Sequence, residues 1–166
     1  MSAKDSFIKQ VQRNKDAENS HVEQVSAEIN IFRSRMCELA RDVEQWLYDI
    51  DIQVIVTNVS LNDETIPSAL RDKVNCRYDI PLIKLQNGRK SALLKAEGLY
   101  GRGTKGHVSL TITDPDRAPS HSKFSLFMST SGLINEGWKI SPYGQNCSED
   151  MFLTEESFFS AIKALA

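Results

Sequence analysis

A chain of 166 residues has the length of one domain, with two very small domains as the outer bound. Apolar residues at 40% and charged residues at 25% exclude collagen-like and wholly disordered classes. Twenty basic against twenty-two acidic side chains leave a formal charge of −2, so no global field draws the chain to DNA or an anionic membrane.

No apolar run approaches the ~20 residues of a membrane span. The opening Met1-Ser2-Ala3-Lys4-Asp5-Ser6 lacks the apolar stretch of a secretory signal. Cys37, Cys76 and Cys147 are odd in number, far apart and free of C-x-x-C spacing, which argues against a disulfide framework or a closed zinc site. The expectation is three free thiols in a reducing cytoplasm.

The clearest pattern lies in the first third. Val22, Val25, Ile29, Phe32, Met36, Leu39, Val43, Trp46 and Ile50 follow at alternating steps of three and four, with no glycine or proline between them. A helix through these positions is about 43 Å long at ~1.5 Å per residue. A strict 3.5 period favours a partner helix. That partner is either the upstream segment with Phe7, Ile8 and Val11, folded back through Arg13-Asn14-Lys15-Asp16, or a second copy of the chain. In the homodimer, Val22, Val25, Ile29, Phe32, Met36, Leu39 and Val43 form the self-association seam. The competing expectation is a long helix laid across a sheet, with Phe32 and Trp46 filling core.

From residue 51 the period changes. Residues 52–59 are β-branched and predict a strand, and 61–77 a polar loop with one helical turn at 68–74. Asn87-Gly88 predicts a type I′ hairpin turn, with Ile83 and Leu85 before it and Ala92 and Leu94 after. Val108, Leu110 and Ile112 alternate with hydroxyl residues, the signature of a strand with one wet face. Residues 124–128 and 138–140 add two strands, joined through Ser131-Gly132 or Asn135-Glu136-Gly137. Thr154 caps a final helix with Glu155 and Glu156 in its first turn, Leu153 stapled on Phe158, and a stripe of Phe158, Phe159, Ile162 and Leu165. The expected fold is α+β: a long heptad-patterned helical segment (1–50), then a mainly antiparallel sheet of five to six strands with a C-terminal helix packed on it (51–166), integrated as one domain.

Chemistry-bearing patterns are sparse. Gly98 and Gly103 have P-loop spacing, but Thr104-Lys105 reverses the required order and a strand follows, so a mobile loop is expected. Between 84 and 107 the basic residues Lys84, Arg89, Lys90, Lys95, Arg102 and Lys105 face one acid, Glu97. With Tyr100 they form a candidate partner-binding patch. An acidic protein surface is its first expected partner and nucleic acid the second. His107, Asp114, Asp116 and His121 match no closed metal site, and Glu155-Glu156 and Asp63-Glu64 are expected to serve capping and loop solubility. No metal, cofactor or catalytic set is expected. The function expected is a non-enzymatic interaction, accessory or inhibitory factor. A nucleic-acid-binding module, or an enzyme with a site near His107, Asp116 and His121, are the alternatives.

Overall fold

A computed structural model describes residues 2–101, 104–128, 137–142 and 151–166. The elements run α1 (Ala3–Trp46), β1 (Gln53–Asn62), β2 (Arg77–Asn87), β3 (Lys90–Tyr100), β4 (Lys105–Thr113), β5 (His121–Met128), β6 (Trp138–Pro142), β7 (Met151–Phe152) and α2 (Glu155–Ala161). Short 3-10 turns follow at Ser68–Leu70 and Lys163–Leu165. The class is α+β, with a seven-stranded antiparallel meander in the order β1-β2-β3-β4-β5-β6-β7. The strand beyond the expected six is β7, whose two residues are too short to show a period.

Helix α1 is one uninterrupted 44-residue rod, roughly 66 Å at ~1.5 Å per residue. The expected fold-back at Arg13-Asn14-Lys15-Asp16 does not occur. A capping box between Ser2 and Asp5 defines the start, and Gln10–Asn14 and Gln12–Asp16 hydrogen bonds bridge successive turns across the polar stretch. Polar residues there solvate the helix without breaking it. The helix ends before Ile50, which is exposed, and Leu47 is buried in its stead. Asp49 and Asp51 would stand at the negative helix end, with no basic residue in the last turn to offset them.

Val25, Ile29, Phe32, Met36, Leu39 and Val43 are buried against the chain's own sheet, and Val22 and Trp46 pack at the margin of the same core. Of the placements left open by the heptad pattern, the structure shows the helix laid across the sheet. The surface it meets is built from rows of cross-strand partners, Ile83↔Leu94↔Leu110 and Leu85↔Ala92↔Ile112. Leu126 and Ile140 extend that surface on β5 and β6. Phe32 reaches Trp138 at a ring-centroid distance of 6.3 Å. Helix α2 joins the same layer: Phe158 is fully buried and stacks at 5.2 Å from Trp46. Thr154 caps it as expected, with Ser157 as the reciprocal partner.

The hairpin register differs from the expected one. Asn87 pairs with Lys90, so Gly88 and Arg89 are the two turn residues and Gly88 takes φ +61° at the first. A turn centred on Asn87-Gly88 would set Leu85 opposite Lys90 rather than Ala92. Core burial decides the register, and the freed Asn87 amide donates to the Leu165 carbonyl at 2.7 Å.

Phe32 is the test of this packing. Phe32→Ala removes a fully buried ring between helix and sheet and is expected to lower stability by about 3–5 kcal/mol, measured as a fall in the urea midpoint.

Candidate functional site

Both helices cover one face of the sheet, which leaves the other face bare of any described element. Side chains alternate along a strand, and cross-strand partners share a face. One outer row is therefore Ile55–Lys84–Leu93–Thr111–Lys123, and the next holds Lys95–Ser109–Ser125–Ser141. Lys139 stands beyond them between Phe127 and Phe152, its Nζ 5.5 Å from the Phe152 ring centroid. Lys84, Lys95 and Lys123 are exposed and Lys139 is half-buried. Lys84 and Lys123 lie three strands apart, roughly 14 Å at ~4.8 Å per strand. Glu97 on β3 stands beside these rows and accepts from Ser109 Oγ at 2.7 Å.

Lys84 and Lys95 were singled out from sequence; Lys123 and Lys139 were not. They sit on separate strands, outside the 84–107 window, and only strand register brings them onto one surface with the first two.

Other members of the expected patch go elsewhere. Lys105 Nζ and Tyr100 Oη each lie 2.5 Å from the Glu28 carboxylate on α1, beneath the sheet. A β-bulge between Lys105 and Val108 on β4 inserts a residue and turns Lys105 to the helix side, where Tyr100 is its cross-strand partner. Gly106 supplies φ +71° at that bulge. Arg89 pairs with Asp116 at 3.2 Å, both well exposed, and Lys90 Nζ donates to the Ala166 carbonyl at 2.6 Å. Arg102 lies outside the described residues, as do Cys147 and both expected connections between β5 and β6 save Gly137.

Burial would raise the Glu28 pKa, but the hydrogen bonds from Lys105 and Tyr100 and the Lys105 charge outweigh it and hold it below the ordinary value. Burial, then the bond to Glu28, pushes the Tyr100 phenol up. The cluster is thus a neutralised link between α1 and the sheet.

Asp63 makes a second link, and its expected role in loop solubility is corrected. It is fully buried. Its Oδ1 accepts from Thr65 N at 2.9 Å and Thr65 Oγ1 at 2.5 Å; its Oδ2 accepts from Tyr78 Oη at 2.6 Å and Leu99 N at 2.9 Å. Four donors satisfy the carboxylate. Thr65 Oγ1 also accepts from Tyr100 N at 3.0 Å, and a Cβ on Gly98 would stand 2.4 Å from Thr65 Cγ2. The signal was present in Asp63-Glu64-Thr65, an acid followed two residues on by a hydroxyl, the pattern of an Asx-type turn.

Of the candidate catalytic residues, His107 is held apart from His121. His121 bonds Thr113 Oγ1 at 3.1 Å, and His107 lies six residues earlier on β4, roughly 20 Å away at ~3.4 Å per residue. Burial lowers the His107 pKa, with Glu97 opposing and Lys123 adding to the effect. Asp114 accepts from Asp116 N at 3.0 Å, a turn contact. Among the described residues no three His, Cys, Asp or Glu side chains gather as metal ligands. No described helix is long and apolar enough to cross a membrane.

Comparison of the chain with protein-family models, with curated proteins and with solved structures finds no match in any of the three.

Glu28 gives the pH test. Its pKa is lowered on folding, so the unfolded chain takes up this proton first as pH falls. Its stabilisation is full above the ordinary value of 4.5 and is lost as pH drops through the lower folded value. Glu28→Gln is expected to cost about 1–2 kcal/mol at neutral pH and progressively less in acid, read from urea unfolding at several pH values. An equal loss at every pH would contradict the link.

Proposed function

We propose that this chain is a non-enzymatic interaction protein whose open sheet face docks an acidic surface on a partner protein. The carrying observation is that, among the described residues, both helices pack on one face of the sheet while strand register gathers Lys84, Lys95, Lys123 and Lys139 on the other. Complementary charge on such a face steers encounter and fixes orientation. Leu93 is half-buried between Lys84 and Lys123, and Ile55 and Leu82 are half-buried on the β1–β2 flank, so the lysines stand beside apolar contact surface.

A protein is favoured over nucleic acid because a sheet that reads single strands stacks bases on aromatic rings at its centre. Here the central rows hold Leu93, Thr111, Ser109 and Ser125, and Tyr100 is committed to Glu28 beneath the sheet. The non-enzymatic part draws on the separation of His107 from His121 along β4.

The probe is a polyglutamate peptide, with oligo-dT and an RNA of equal charge beside it. Polyglutamate is expected to bind with affinity that falls as salt rises. Lys84→Glu with Lys95→Glu is expected to weaken it about tenfold or more, whereas Lys90→Glu is expected to change little. Failure of polyglutamate to bind, indifference to the paired reversal, or tighter binding of either oligonucleotide would overturn the proposal.

A further inference from the structure

The two edges of the sheet are managed very differently. At one end β7 is only two residues long, so little backbone is left unpaired. At the other, β1 runs ten residues, bonds to β2 on one side and, among the described residues, has no strand on the other. Unpaired strand edges template further pairing unless they are short, charged, bulged or interrupted by proline. Strand β1 has none of these protections. Its sequence, Gln-Val-Ile-Val-Thr-Asn-Val-Ser-Leu-Asn, contains no charge and no proline, in a chain where one residue in four is charged. Its register with β2 runs unbroken from Gln53↔Gln86 to Asn62↔Arg77. Val56, Thr57, Asn58 and Ser60 are exposed along it.

We infer that β1 is a homotypic interface: it pairs antiparallel with β1 of a second copy across a two-fold axis. The occupant follows from the chemistry of the edge. An uncharged strand meets its own copy without like-charge repulsion, and antiparallel pairing about a two-fold axis presents each copy with the same donors and acceptors it offers. A strand from an acidic protein would gain no charge complement there. The β-branched run Val54-Ile55-Val56-Thr57 suits an extended strand with neighbours on both sides. With the axis normal to the sheet, the two helix-covered faces lie on one side and the two lysine faces on the other. The Lys84 residues of the two copies then stand three strand spacings apart across the sheet, roughly 14 Å, with an added offset along the strands set by the register. The inference is independent of the partner proposed for that face.

Sedimentation equilibrium of the full chain over a range of concentrations is the test. A monomer–dimer equilibrium is expected, with slower amide exchange of β1 as concentration rises. Val56→Lys combined with Asn58→Lys places like charges on both edges and is expected to raise the dissociation constant at least about tenfold, with circular dichroism unchanged. Lys84→Glu with Lys95→Glu is expected to leave the dimer intact, which separates the two interfaces. A monomer at every concentration with concentration-independent exchange, growth beyond a dimer, or an unaltered dimer in the lysine variant would overturn the inference.

Discussion

The contact that orders the rest of the molecule is the burial of the α1 stripe on one face of the meander. Phe32, Met36, Leu39 and Val43 enter a surface of Ile83, Leu85, Leu94, Leu110 and Ile112, and almost all of these side chains are fully removed from water. At about 25 cal/mol per Å² of apolar area, this burial is the main term opposing the conformational entropy of seven strands and a long helix. Because α2 docks beside α1 rather than opposite it, a single apolar layer serves both helices. The sheet is therefore two-faced: apolar toward the helices, and on the other side lysine and hydroxyl residues with scattered aliphatic ones and the rings of Phe127 and Phe152 beside Lys139.

Polar chemistry refines what burial begins. Asp63 gathers the loop after β1, Tyr78 of β2 and Leu99 of β3 around one carboxylate, and Glu28 ties the ends of β3 and β4 to the helix. The two sites are adjacent through Tyr100, whose N–H donates to Thr65 and whose hydroxyl reaches Glu28. Lys105 reaches Glu28 because the β4 bulge turns that strand end to the helix side. Lys90 and Lys105 are thus engaged with the chain's own Ala166 and Glu28, while register spreads Lys84, Lys95, Lys123 and Lys139 over the strands.

Elements with strong local periodicity were legible in the sequence. The alternation of Val108, Leu110 and Ile112 and the Thr154 cap report short-range geometry, and the fold class follows from the order of such elements. Properties that arise between strands were not legible. The hairpin turn was misplaced because Asn87-Gly88 is locally favourable while the pairing of Leu85 with Ala92 is a tertiary demand. The heptad pattern shows that α1 has an apolar seam but carries no mark of whether a helix or a sheet receives it. Lys123 and Lys139 sit in separate windows without a shared local signal. Asp63 looked like an ordinary loop acid because its partners Tyr78 and Leu99 are 15 and 36 residues away in sequence.

The first four turns of α1 have a mechanical consequence. Residues 3–17 are exposed, and Glu18, paired with Lys73, marks where the rod first meets the globule. Fifteen residues of unsupported helix hold the amino end roughly 22 Å out at ~1.5 Å per residue. A fluorophore or affinity handle fused there would ride on a stiff outrigger, clear of the lysine-bearing surface, and would report the tumbling of the whole body only as faithfully as those turns resist fraying.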